Sequence, residues 1–201
     1  MIDKPYLISF EIAGPTAMFA RPDTGSTPIS YPILTASAAK CMFESVAFSN
    51  DAYFVPQRVE ICSPIVYHKY TTNYQGPLRK TGTNNFQFFA TVLENVCYKV
   101  HGVICAYDRP THLRNAQHEL QAIFNRRLAK GQFFSTPFLG WKEFVPSYFG
   151  ELRDTTTVDK SINMVIPSIV LSMHSRPTNG CFEPTYALNV MVEKGVMYYS
   201  E

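Results

Sequence analysis

What this 201-residue chain lacks removes several chemistries at once. It contains no GxxxxGK[ST] and no GxGxxG, the glycine-rich loops that bring backbone N–H groups against phosphates, so no nucleotide cofactor is expected. No GxSxG occurs, and a Ser/His/Asp hydrolase would want that strand-to-helix elbow. No apolar run approaches the ~18 residues of a membrane span, and Met1-Ile2-Asp3-Lys4-Pro5 begins no signal peptide. A cytoplasmic protein with no membrane partner is the expectation. The five cysteines (Cys41, Cys62, Cys97, Cys105, Cys181) form no CxxC pair and the five histidines no HxxxH pair. Buried reduced thiols are expected, and no metal site or other cofactor.

Charge of one sign is also scarce, with a net of only +2, but it is unevenly placed. Phe54–Arg153 holds 12 Lys+Arg against 6 Asp+Glu; the rest holds 6 against 10. Such asymmetry gives one face a field that attracts polyanions. What the chain has in quantity is apolar and aromatic: 46% hydrophobic residues, 15 Phe and 12 Tyr. A β-rich globule follows, large enough to bury roughly 70% of its unfolded surface.

Ile8, Phe10 and Ile12 alternate with Ser9 and Glu11, predicting a half-buried strand over 5–13 that Gly14-Pro15 ends. Arg21 to Pro32 reads as a loop. Thr35 can cap a helix to about Phe48 with Ala39, Met42, Phe43 and Val46 on one face. A strand is expected near 57–62. The basic, aromatic stretch Tyr67–Asn85 has no hydrophobic face and should project as a mobile loop or extended hairpin. Strands over 86–93 and 96–106 are expected to meet at a tight turn, Glu94-Asn95. Asn115 can cap a second helix with Leu120, Ile123, Phe124 and Leu128 inward, and Gly131 suits the position after its end. Two further strands, over 164–171 and 185–192, and a third over 196–199 follow, with Glu193-Lys194-Gly195 as a hairpin turn. No internal repeat occurs. The order β-α-β-β-α, with Pro137–Phe144 as a last strand, predicts an α+β protein: a ferredoxin-like (RRM-like) core with a C-terminal β appendage.

The richest segment is Phe124–Phe144. Arg126, Arg127 and Lys130 crowd the end of a helix, a glycine stops it, and aromatic residues then alternate with turn residues. A single-strand nucleic-acid clamp needs cations for phosphates and flat rings for bases. An amphipathic helix with a solvated basic face, followed by a core-forming loop, would look similar. The RRM aromatic signature is absent, so the residues alone reach only an RNA-binding globule.

Three blocks resemble a known family. They are Ile8–Glu11 through Gly14, Ala17, Phe19 and Pro22; Ser30-Tyr31-Pro32-Ile33-Leu34-Thr35-Ala36-Ser37-Ala38-Ala39-Lys40 with Glu44-Ser45-Val46; and Phe124-Asn125-Arg126-Arg127, Gly131-Gln132-Phe133-Phe134 and Pro137–Phe144. Together they resemble the fifth family of CRISPR-associated proteins, the subunits that hold the 5′ handle of the crRNA in type I Cascade complexes, and are most similar to its type I-C branch. The resemblance covers about residues 8–149 and is weak beyond Glu151. It implies a ferredoxin-like palm (1–149) with an inserted thumb at about 67–85, and a C-terminal β region (150–201). It further implies as partners the crRNA handle and the large and backbone subunits, with target DNA met only indirectly.

Under that resemblance Lys40, Lys69, Arg79, Lys80, Arg126, Arg127 and Lys130 are the expected phosphate contacts, and Tyr70, Tyr74 and Phe134 the expected base-stacking rings. At least one of Phe133 and Phe134 is expected in the core. Type I-C members also cut the repeat RNA without metal, using an aromatic or His residue late in helix 1 and a Lys-His pair entering helix 2. Ala47 stands at the first position, and Glu119-Leu120, or Gln117-His118 with one inserted residue, at the second. Ala47 can do no proton chemistry. The expectation is therefore a subunit that holds the handle without cutting it. The alternatives are an endonuclease with a relocated site at His118 with Tyr70 or Lys69, and a general single-strand RNA chaperone.

Overall fold

The computed structural model describes residues 5–74, 86–108, 115–174 and 182–199. In chain order its elements are β1 (Tyr6–Ala17), α1 (Ala36–Val46), β2 (Ala52–Ile61), β3 (Val66–Tyr74), β4 (Phe86–Ala106), α2 (Ala116–Ala129), β5 (Tyr148–Gly150), β6 (Met164–His174), β7 (Phe182–Glu193) and β8 (Val196–Tyr198). The fold is α+β. One sheet runs β5-β1-β4-β2-β8-β7-β6, with β3 paired to the outer half of β4 and every strand pair antiparallel.

Both helices lie on one face of this sheet, for a reason visible in β1. Ile8, Phe10 and Ile12 point to the helices and are buried. Phe43 of α1 stacks between Phe54 of β2 and Phe124 of α2, at 4.7 and 4.4 Å between ring centroids, and Phe10 tilts onto Phe54, Phe124 and Phe149. Each such pair adds about 0.5–1.5 kcal/mol beyond its buried area. Gly102 on β4 makes room for this cluster, since a Cβ there would come within 2.6 Å of the Phe54 ring and 2.2 Å of the Val55 carbonyl oxygen.

The helix ends follow the expected chemistry. Thr35 accepts from the Ala38 N–H and Asn115 from the His118 N–H, each satisfying a donor that the first turn leaves free. Gly131 takes φ +61° just past α2, and Lys194 and Gly195 (φ 50° and 76°) turn β7 into β8.

Several expectations fail for identifiable reasons. Gly14-Pro15 does not end β1, which runs on to Ala17; Gly14 is instead a contact point, where a Cβ would lie 2.5 Å from Leu139. Glu94-Asn95 is no turn. β4 runs unbroken for 21 residues because Asn95 takes φ 51° within it, a conformation that asparagine tolerates. Of the mobile loop or extended hairpin expected over Tyr67–Asn85, the pairing of Val66–Tyr74 with Glu94–Phe86, residue by residue, fits the hairpin; 75–85 lie outside the described residues. Pro137–Phe144 forms a loop held by Met18 N–H to Leu139 O and Leu139 N–H to Phe144 O, and the strand beside β1 is β5. Cys41 is exposed on α1 and Cys62 and Cys105 are half-buried, so only Cys97 fits the buried-thiol expectation; Cys181 lies outside the described residues. No described helix is long and apolar enough to cross a membrane.

Candidate nucleic-acid interface

α1 ends with free carbonyls, and the segment after α2 satisfies them. Phe134 N–H and Ser135 N–H both donate to Ser45 O (2.7 and 3.0 Å), and Arg127 Nη1 donates to Val46 O (2.8 Å). These three bonds pin the turn after α2 against the end of α1. They also divide the three cations: Arg127 is half-buried and bound inward, while Arg126 and Lys130 are exposed and make no ion pair with a described residue.

The same anchoring separates two adjacent phenylalanines. Phe133 stacks on Phe149 (5.6 Å between centroids, 9° between planes) yet stays 40% exposed, and Phe134 projects with 73% of its surface exposed, so neither ring lies in the core where at least one was expected. Phe134 forms a wall between two hollows. One, of about 740 Å³, runs past Gly131 and Phe133 to Val145–Phe149; the other, of about 320 Å³, includes Cys41, Glu44 and the exposed Phe48 of the opposite helix end. Burial pushes the Glu44 carboxyl up, and Lys40 only partly offsets this. A flat exposed ring a few residues past two exposed cations can stack a base while the cations meet phosphates of the same strand.

The other expected contacts are dispersed. Lys40 sits on α1, 3.9 Å from Glu44 and over the Tyr53 ring. Lys69 lies on β3 with its Nζ 4.1 Å from the Phe89 ring centroid. Tyr70 is half-buried, with its ring edge-on to Trp141 and Phe144, which directs it to packing. The side chain of Tyr74 lies outside the described residues, as do Arg79 and Lys80.

His118 is exposed at the start of α2, edge-on to Tyr6. Tyr6 pairs with Ile104 and Tyr70 with Ala90, fourteen positions apart on β4. At about 3.3 Å per residue that is up to roughly 45 Å, so His118 does not meet Tyr70 or Lys69. Ala47 is fully buried. Among the described residues no group of three or more His, Cys, Asp or Glu could hold a metal ion.

Two polar clusters on the sheet face opposite the helices carry no signal in the sequence beyond the alternation that places Ser9 and Glu11 together. Glu11 is completely buried and accepts from Arg153 Nε, Nη2 and N–H and from Thr156 Oγ1, at 2.6–2.9 Å. Lys99, its neighbour on β4, donates to the carbonyls of Arg153 and Thr156. Ser9, one pair further along, shares a 2.8 Å hydrogen bond with His101 Nδ1, and Arg58 and His101 both approach Glu60 at 3.2 Å.

No family model matches the chain. It is 29% identical over 158 residues to a Thermus thermophilus protein named "CRISPR pre-crRNA endoribonuclease Cas5d", covering 73% of this chain and 66% of the relative. A Mannheimia succiniciproducens protein of the same name is 25% identical over 166 residues, covering 73% of each. The chain thus spans about two thirds to three quarters of the curated relatives it matches. Among solved structures, a CRISPR-associated protein superposes with a TM-score of 0.76 at 14% identity, covering 98% of this chain and 94% of its own. A functionally uncharacterized Streptococcus mutans protein gives 0.73 at 16%, covering 98% and 94%, and a chain of a CRISPR RNA-guided surveillance complex 0.52 at 12%, covering 97% and 88%. At such identities the structural likenesses bear on the fold alone. Similarity to the Cas5d proteins, by contrast, extends over most of the sequence.

Proposed function

We propose that this chain, similar in sequence to Cas5d proteins, is the RNA-binding subunit of a type I CRISPR effector, where it holds and caps the 5′ handle of the crRNA without cleaving it. In this reading residues 1–149 are a ferredoxin-like palm. The strand order β5-β1-β4-β2 with α1 and α2 on one face supports that description. The β3–β4 ribbon is the base of the thumb at 67–85, and 150–201 form a C-terminal β region. Large and backbone subunits of a Cascade-type complex are the protein partners, target DNA is met through them, and the setting is the cytoplasm.

The observation that carries the proposal is the pinned turn after α2, which leaves Phe134 exposed just past a helix end where Arg126 and Lys130 are also exposed and make no ion pair with a described residue. Handle RNA should bind with affinity that falls steeply with salt. Replacing Arg126 and Lys130 together with alanine should make the log K–log salt slope shallower by about 0.7 per cation. Phe134→Ala should weaken binding roughly 5- to 100-fold with little change in slope. Titration by fluorescence anisotropy at several salt concentrations checks all three. Equal slopes in wild type and double variant, or indifference to the handle sequence, would rule out this face as the grip.

A second reading, metal-independent cleavage of repeat RNA, is favoured by the name that both curated relatives carry. Against it stand the buried Ala47 and the separation of His118 from Tyr70 and Lys69. Incubating the protein with repeat RNA in EDTA decides between the two. No product is expected, whereas a defined cut abolished by His118→Ala would replace the leading proposal.

A further inference from the structure

On the sheet face opposite the helices, Ser9, His101, Arg58 and Tyr198 stand in one straight row across β1, β4, β2 and β8, each paired directly with the next. Residues paired in this way point to the same side of a sheet. Three strand spacings make the row about 14 Å long. Tyr198 is 66% exposed and Leu7, at the other end, 61%. The row floors a hollow of about 550 Å³ that adjoins a larger one through Arg58 and Tyr198.

From this geometry we infer a second RNA subsite on the open sheet face: one unpaired nucleotide lies across the row, its base on the Tyr198 ring and its phosphate between Arg58 and Ser9. The inference rests on the RNA-binding reading and adds a contact surface separate from the turn after α2. The chemistry of the row favours RNA over a protein partner. A flat exposed ring, a half-exposed guanidinium and a hydroxyl stand in line, which suits a base and its phosphate. Among the described residues Arg58 makes one ion pair, to Glu60 at 3.2 Å through Nη2, leaving other donors of its fork available.

His101 couples this subsite to protons. Its Nδ1 shares the 2.8 Å bond with Ser9 Oγ, and its buried Nε2 lies 3.2 Å from Glu60 Oε1 without making a hydrogen bond. With His101 neutral, the Ser9 hydroxyl can donate inward to Nδ1. With His101 protonated, Nδ1–H donates to Ser9, and the Ser9 hydroxyl is free to donate outward to a phosphate. The charged and titratable groups around the ring are Glu60 and Arg58 from β2, Lys99 from its own strand and Tyr198 from β8; β1 contributes Ser9. Burial, with Arg58 and Lys99, holds His101 below its ordinary pKa against the opposing pull of Glu60. A bound phosphate raises the pKa again. The extra affinity is therefore present below the free-protein value and lost as pH rises through the bound-state value.

The test uses the full chain and a fluorescein-labelled single-stranded RNA of its own CRISPR repeat. Tyr198→Ala should weaken binding roughly 5- to 100-fold with unchanged thermal melting, and Tyr198→Phe should bind like wild type. His101→Ala should flatten the rise in affinity between neutral and mildly acid pH. On the wild-type protein, photo-crosslinking of thiouridine-substituted RNA should label the peptide carrying Tyr198, which keeps the test decisive if a variant fails to fold. Full affinity in Tyr198→Ala, with crosslinks confined to 124–149, would overturn the subsite and leave the proposed function standing. Loss of assembly with other subunits at unchanged RNA affinity would make the face a protein interface and overturn it too. No RNA binding by the wild type would sink both readings.

Discussion

Arg153→Ala should lower folding stability by about 2–3 kcal/mol, measured by urea unfolding at neutral pH. Glu11 is completely buried, and breaking a buried ion pair from one side costs about 3–5 kcal/mol because the remaining charge is left uncompensated. Arg153 itself is 35% exposed, so solvent screening reduces that figure. The variant keeps the Arg153 backbone N–H and the Thr156 hydroxyl on Oε2 but strips Oε1 of both guanidinium bonds. What remains on Oε1 is the weak 3.5 Å donation from Cys97 Sγ. That thiol stays protonated, because its hydrogen bond with Cys62 and its burial hold it far above the usual thiol range. Glu11→Gln in the Arg153→Ala background should recover part of the loss, since it removes the stranded charge. A loss under about 0.5 kcal/mol for Arg153→Ala would mean that water reaches the carboxylate.

The same cluster sets an acid limb. Burial pushes the Glu11 carboxyl up, but hydrogen bonds from the Arg153 backbone, the guanidinium and Thr156 together hold it below its ordinary value of 4.5. A depressed carboxyl contributes stability above its unfolded pKa, and that contribution disappears as pH falls through the folded one. Wild-type stability should therefore decline below pH 4.5 more steeply than that of Glu11→Gln.

Phe124→Ala should be costlier still, by about 3–5 kcal/mol. The ring is fully buried, stacked on Phe43 at 4.4 Å and tilted against Phe10 at 5.9 Å. The void would open where α1, α2 and the sheet meet, beneath the last turn that holds Arg127 on Val46. RNA affinity should fall with stability, because the turn carrying Phe134 is positioned by that helix pair. Phe124→Leu keeps most of the volume and should cost about 1–2 kcal/mol. Calorimetric melting of the two variants beside wild type checks the order, and equal costs would show that the void adds nothing beyond the loss of the ring.

The elements read correctly from the sequence are those governed by neighbours a few positions away. Ile8, Phe10 and Ile12 alternate, Thr35 and Asn115 cap, and Gly131 and Lys194-Gly195 turn, each within a window that the chain itself spans. The misread ones were decided from elsewhere. Asn95 reads as a turn until β1 pairs with β4 on both sides of it, Thr16 with Glu94 and Gly14 with Val96. Pro137–Phe144 has the aromatic content of a strand, but its hydrogen bonds go to Met18 and back on itself.

The candidate site divides along the same line. By itself the sequence determined that basic and aromatic residues crowd the end of α2, because one helical turn and one glycine suffice to bring them together. Only the tertiary structure decided which of them are available. Arg127 caps α1, while Phe134, Arg126, Lys130 and the outer part of Phe133 are left for a ligand to touch. The row Ser9–His101–Arg58–Tyr198 depends wholly on register, with residues from four strands brought side by side. A shift of one residue in any strand would turn its side chain to the other face, and no local pattern in the sequence encodes that alignment.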